Sequence, residues 1–295
     1  MTPKGVLVLG MHRSGTSAVA RICNLLGLAT CVSHDLISGM EWNPAGHWES
    51  RSLTHLNDRL LSEMGHSWWY PPSSGRGYSE AASRIVTSPQ AAAHHFDRAH
   101  PSSPWVWKDP RNCVTLPFWR QALDRPLAGI LVFRNPIDVS TSLLLRNSLP
   151  ERFGIALWTR YMRLVLEHAG GLPLLVTRYD DLVQNPLLWS DTAQKFLADL
   201  GVAVRPGRQD EIEQFVDPRH RHSHHGHSDT SAFSPGVKAV FEALEPLVGA
   251  HRSFVGPLLP AEDPAVAREL ESRWPGHPPV WNAPPWAVGN TETGL

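Results

Sequence analysis

Two short segments carry residues whose types and spacing suit the capture of anions. The first, Gly10-Met11-His12-Arg13-Ser14-Gly15-Thr16-Ser17, follows an apolar run, Gly5–Leu9, and precedes Ala18, Val19, Ile22, Leu25 and Leu26 at helical spacing. Glycines at 10 and 15 let the backbone curl, so that successive N–H groups and a helix N-terminus point at one negative group. A nucleotide-kinase loop places lysine directly after the second glycine. Here that position is Thr16, and the basic residue, Arg13, sits inside the turn. None of the three apolar runs read as strands here, Gly5–Leu9, 128–133 and 173–177, ends in the aspartate that a kinase-type magnesium site requires.

The second segment is Arg134-Asn135-Pro136-Ile137-Asp138-Val139-Ser140-Thr141-Ser142, directly after an apolar run at residues 128–133. Ligands of α/β sheets bind at the carboxyl ends of strands, where Arg134 falls. A guanidinium there can fork onto a phosphate. Pro136 suits the first turn of a helix. Ser142, eight residues beyond Arg134 and about two helical turns along, can bring a hydroxyl to the same anion.

The elements that must hold these segments read as α/β. The opening strand, loop and helix end at Gly27, a helix C-cap residue. Apolar runs at 128–133 and 173–177 read as buried strands, and helical patterns occupy 157–168 and 187–200. Strands alternating with helices predict a P-loop-type, mainly parallel sheet with helices on both faces. We expect one domain over residues 1–255. Within it, residues 65–104 form a breaker-rich insertion around Trp68-Trp69-Tyr70-Pro71-Pro72-Ser73-Ser74-Gly75, either a surface loop or an acceptor-site lid. Residues 256–295 form a Pro/Trp-rich tail with little periodicity, extended over the domain or lacking order.

Composition narrows the class. The 295 residues are 42% hydrophobic and 19% charged with a formal net charge of −1, the balance of a globular protein with no call for nucleic acid or a membrane surface. Such a chain must concentrate its arginines locally to bind a polyanion. Cys23, Cys31 and Cys113 form no disulfide framework, and neither a signal peptide nor a spanning segment is evident, so the expected compartment is the cytoplasm.

Taken together, the two anion segments resemble those of sulfotransferases that use 3′-phosphoadenosine 5′-phosphosulfate (PAPS), in particular a bacterial branch with an Arg-Ser-Gly-Thr loop. The loop from Met11 to Ser17 resembles the family's 5′-phosphosulfate loop, and Arg134 with Ser142 its 3′-phosphate motif. Arg178-Tyr179-Asp180-Asp181-Leu182 resembles the segment whose tyrosine lies near the nucleotide. Lys108-Asp109-Pro110-Arg111 and Asn43-Pro44-Ala45-Gly46-His47-Trp48-Glu49 are also familiar from that branch. Order and approximate spacing agree over residues 5–225. Arg13 stands where the cytosolic animal enzymes carry lysine, and the histidine that follows their catalytic lysine is absent near Lys108.

The resemblance implies a sulfotransferase moving a sulfuryl group from PAPS, with PAP as product, to a hydroxyl or amine of a small-molecule acceptor, without metal. Arg13, Ser14, Gly15, Thr16, Ser17, Arg134, Ser142 and Tyr179 would bind the nucleotide. The run Arg219-His220-Arg221-His222-Ser223-His224-His225-Gly226-His227 is either a solvated loop or, as the resemblance implies, a basic loop that closes Arg219 or Arg221 over the 3′-phosphate. Arg13 would meet the charge on the bridging oxygen. Lys108 is either a second cation at the sulfuryl or a partner for Asp109. Asp35, His47, Glu49 and Asp109 compete as general base, and Glu49 leads by resemblance, with His47 next. Trp42, Trp48, Trp68, Trp69, Trp105 and Trp107 supply either core or a ring-stacking acceptor pocket. A P-loop kinase or nucleotide hydrolase, and a nucleotide-binding protein without catalysis, are the competing readings.

Overall fold

In the computed structural model, residues 2–37, 46–216 and 233–272 are described. The strands are β1 (Gly5–Leu9), β2 (Trp105–Lys108), β3 (Leu127–Phe133), β4 (Leu174–Arg178) and β5 (Gly249–His251). They form one sheet in the order β2-β1-β3-β4-β5, with β1 to β4 parallel and β5 antiparallel at the edge. The expected α/β architecture is therefore present.

Between β1 and β2 lie α1 (Thr16–Leu25), α2 (Arg51–Glu63), α3 (Arg76–Ala82) and α4 (Pro89–Ala99). Then come α5 (Asn112–Leu123) before β3, and α6 (Pro136–Asn147) and α7 (Glu151–His168) before β4. After β4 follow α8 (Tyr179–Gln184), α9 (Pro186–Asp199), α10 (Gln209–Phe215), α11 (Pro235–Leu244) and, beyond β5, α12 (Pro264–Glu271).

Strand alternation divides the core into two layers. Val6, Val8, Val106, Ile130, Val132 and Leu175 face α1, α9 and α10. Leu7, Leu9, Trp105, Trp107, Leu131 and Phe133 face α2, α4, α5 and α7. Each central strand is apolar on both faces because helices cover both.

Two segments hold more regular structure than their sequence pattern shows. Residues 65–104 are not a bare loop: they hold α3 and α4, and Trp68, Trp69 and Tyr70 pack against the larger core. The segment is pinned by α7, where Tyr161 Oη donates to Trp68 O at 2.8 Å and Arg160 Nη1 to Pro71 O at 2.9 Å. The tail beyond residue 256 contains α12, whose Val266 and Leu270 are buried in the same core. Arg160 also pairs with Glu262, and Arg163 Nη2 donates to Pro260 O at 2.6 Å. The stretch 260–263 is thus tied to the buried arginines of α7 through Glu262 and the Pro260 carbonyl. Residues 273–295 lie outside the described part.

Candidate functional site

The connection leaving β1 crosses to β2 on one side of it, and the chain from β3 proceeds to β4 on the other. Where the direction of winding reverses, the loops after the two strands diverge and leave a crevice at their carboxyl ends. Register places Leu9 beside Leu131 and Phe133 beside Arg178, so the loop after β1, Arg134 and Tyr179 emerge at one end of the sheet.

The loop after β1 is wound by left-handed residues: Gly10 has φ +147°, Arg13 +69° and Gly15 +91°. A Cβ on Gly10 would lie 2.4 Å from Val132 O, and one on Gly15 2.2 Å from the Tyr179 ring. Glycine is required at both for backbone shape and for close approach. Ser14 N closes the turn onto Met11 O at 3.1 Å, and Gly10 N donates to the buried Cys113 Sγ at 3.1 Å. The N-cap of α1 is Gly15, without a side-chain cap or an acidic residue in the first turn. The positive end of the α1 dipole therefore has no acidic side chain in its first turn. Ser14 Oγ is buried with no hydrogen-bond partner, as a cradle awaiting a ligand would have it.

On the other wall, Asn135 caps α6 by accepting from Ile137 N at 2.9 Å, with Pro136 in the first turn. Capping aims the helix so that Arg134, Asp138, Ser142 and Arg146, four residues apart, share one face. Arg13 Nε donates to Ser142 Oγ at 2.8 Å, and Arg134 Nη1 to Arg13 O at 3.4 Å. Arg134 pairs with Asp138 at 3.4 Å, and its guanidinium carbon lies 4.7 Å over the Tyr179 ring. The loop, α6 and the start of α8 therefore meet around two guanidiniums. Burial, and then the nearby Arg146 and Arg134, pull Arg13 down to about 10.

At the end of β2, Lys108 Nζ pairs with Glu49 Oε1, their side chains only 4% and 9% exposed. The alternative partner for Lys108 is thus excluded. Asp109, fully buried, instead accepts from Arg111 Nη1 at 3.1 Å and from Asn57 Nδ2 at 2.8 Å. Asp35 is committed to the start of α2, accepting from Ser52 N at 2.9 Å and from Ser50 Oγ. Arg111 also meets Asp58 at 2.6 Å, and these carboxylates, Asp109 first, hold the guanidinium firmly charged against its burial.

His47 follows Gly46 into the site, with its backbone carbonyl accepting from Ser17 Oγ at 3.3 Å. Burial, then Lys108, Arg146 and Arg13, depress its imidazole to about 3, and its Nε2 is buried with no partner. His12 is in the same state: burial, then Arg111, Arg146, Lys108 and Arg13, hold it well below the ordinary histidine value, and its Nε2 has no partner.

The structure gathers Arg13, Ser14, Gly15, Thr16, Ser17, Arg134, Ser142, Tyr179, Lys108, Glu49 and His47 at one end of the sheet. Two members went unnoticed in the sequence. Arg146 continues the spacing of Arg134 and Ser142 by four, a signal that was there to be read. His12 lies inside the loop itself, marked only by its position. Arg219, Arg221 and the histidine tract around them lie outside the described residues, as does Trp42. Trp105 and Trp107 are core, packed with Phe96 and Trp119. Trp68 lies against His12, with ring centroids 4.9 Å apart. Trp48 lies under Arg21 at 4.9 Å and edge-on to Phe215. Among the described residues no group of three or more His, Cys, Asp or Glu side chains is placed to hold a metal ion, and no helix is long and apolar enough to cross a membrane.

No known family profile and no curated protein matches the chain. Solved structures do align with it. A sulfotransferase domain from the Synechococcus PCC 7002 olefin synthase is 16% identical, covers 92% of this chain and 94% of its own, and gives a TM-score of 0.43. A sulfotransferase domain from the curacin biosynthetic pathway is 13% identical, with coverages of 92% and 97% and a TM-score of 0.43. The sulfotransferase STF1 of Mycobacterium tuberculosis H37Rv is 13% identical, with coverages of 83% and 77% and a TM-score of 0.41.

Proposed function

We propose that the chain is a sulfotransferase that takes its sulfuryl group from PAPS and delivers it to a hydroxyl or amine of a small-molecule acceptor. The observation that carries this reading is the meeting of two arginines from the ends of adjacent strands, Arg13 hydrogen-bonded to Ser142 and Arg134 to the Arg13 carbonyl. A nucleotide with anionic groups at both its 5′ and 3′ positions fits a crevice with one anion-binding wall on the β1 loop and another on α6. The motif resemblance names that nucleotide.

PAPS supplies an activated sulfuryl whose departure leaves charge on a phosphate oxygen. The chain's own groups answer that charge. The N-terminus of α1 and the orphaned Ser14 hydroxyl hold the 5′ end, and Arg134 with Ser142 holds the 3′-phosphate. Arg13 offers a guanidinium to the bridging oxygen, and Lys108 offers an ammonium near the transferred group. We read Glu49, paired with Lys108 through Oε1, as the residue that keeps that ammonium in place. The half-buried Trp68 gives the acceptor an apolar ring to lie against.

The test is calorimetry. PAP is expected to bind far more tightly than AMP or ADP, and Arg134→Ala to remove most of that preference. A charge-assisted bond is worth about 1.5–3 kcal/mol, so the loss should be roughly 10- to 150-fold. Equal affinity for PAP and ADP in the wild type would refute the assignment.

A further inference from the structure

The acidic candidates for the base are each engaged in an ion pair or a helix cap. Glu49 holds Lys108, Asp109 holds Arg111, and Asp35 caps α2. An acceptor hydroxyl must nonetheless lose its proton as it attacks, and a positioned group contributes about 10²- to 10⁴-fold. Beside the same cations lie two imidazoles, His12 and His47, each with a buried Nε2 that has no hydrogen-bond partner among the described residues. A buried unsatisfied nitrogen costs stability and calls for a ligand.

The two are not equivalent. His12 lies on the anion loop, next to Arg13. Its ring is walled by Trp68 at 4.9 Å and by the edge of Tyr161 at 6.0 Å. Tyr161 is itself locked through its hydroxyl to Trp68 O. An imidazole between two fixed aromatic rings keeps its orientation, as a group that must meet a proton in one direction requires. His47 has no such wall.

We propose that His12 is the general base of this site, with a proton affinity switched on by the bound nucleotide. The proposal rests on the transferase reading above. In the step, the acceptor oxygen bonds to sulfur as the bond from sulfur to the bridging oxygen breaks. That bond's electron pair stays on the phosphate, giving PAP, and the acceptor's proton passes to His12 Nε2.

The electrostatics explain the switch. Four cations face His12: Arg13 from its own loop, Lys108 from the end of β2, Arg111 from the turn before α5 and Arg146 from α6. Tyr161 of α7 and Trp68 bring no charge. Without nucleotide, these cations and the burial keep the ring neutral. A polyanion among the same four groups offsets their field, and the imidazolium becomes affordable at the moment a proton has to be accepted. The device would keep the base idle until the donor is bound.

The experiment follows histidine ring resonances by ¹H–¹⁵N spectroscopy of the full chain, free and saturated with PAP, over a pH series. His12 is assigned by the signal lost in His12→Gln, or in His12→Asn if the first does not fold. PAP should raise the His12 midpoint by at least one pH unit, a tenfold gain in proton affinity. His12→Gln should bind PAP within about threefold of wild type. A His12 midpoint that saturating PAP leaves in place overturns the proposal while the donor assignment stands. Absence of PAP binding to the wild type overturns the donor assignment and the proposal with it.

Discussion

At the scale of single residues, the buried pair Lys108–Glu49 decides how the site is charged. Breaking a buried ion pair by removing one member costs about 3–5 kcal/mol, because the other charge is left without its partner. The two removals should differ here. Glu49 also attracts Arg111 and Arg146, so without Lys108 it still has cations near it. Without Glu49, Lys108 stays buried among cations. Glu49→Gln is therefore expected to lower the unfolding free energy more than Lys108→Met, and the double variant to recover much of the loss. Urea denaturation of the three variants measures this. A larger loss for Lys108→Met, or strict additivity in the double, would show that the pair is not the unit described. This pairing was illegible in the sequence, where Lys108 and Glu49 are 59 residues apart. Adjacency made Asp109 look like the partner, but Asp109 lies just beyond β2 and is held by Arg111 and Asn57.

Elements were legible where local pattern and burial agree. β1 and β3 are continuous apolar runs buried on both faces, β4 is one up to its closing Thr177-Arg178, and each was readable to within a residue or two. β2 was not, because Trp-Val-Trp-Lys is four residues long and two tryptophans and a lysine form no strand pattern by themselves. β5, three residues of Gly-Ala-His, carries no hydrophobic signal at all. It exists because β4 has an open edge. The anion loop is the element best specified by sequence, since its glycines are demanded by geometry. Gly15→Ala tests that demand. An alanine at φ +91° costs about 1–2 kcal/mol, and its Cβ collides with the Tyr179 ring at 2.2 Å. The ring must then leave its place under Arg134. PAP affinity is expected to fall at least tenfold, and Gly15→Ala combined with Tyr179→Leu should recover part of it. Unchanged PAP affinity in Gly15→Ala would mean that the loop does not touch the nucleotide.

At the scale of the whole molecule, the fold gathers cations at one end of the sheet and buries neutral histidines through its body, and the second habit sets its acid tolerance. His100 sits in the core layer outside β2, stacked on Phe96 at 4.8 Å and near Trp105 at 5.7 Å, with both ring nitrogens buried and without partners. Burial lowers it to about 4, against 6.5 for an exposed ring. His168, beneath Tyr78, is pushed to about 4 by the same cause, and His47 to about 3. The sign follows directly. Below pH 6.5 the unfolded chain takes up protons that the folded one refuses, so stability is full above that value and is lost as pH falls from 6.5 toward 4. At 1.36 kcal/mol per unit, His100 alone contributes roughly 3 kcal/mol to that loss. His100→Phe keeps an aromatic ring in an aromatic cluster and removes the proton site. It should therefore leave stability at pH 7.5 equal or higher and flatten the decline between pH 6.5 and 4.5. Denaturation midpoints of wild type and variant over that range are the measurement. Parallel declines in the two proteins would mean that His100 takes its proton without unfolding, and would remove it from the account of acid sensitivity.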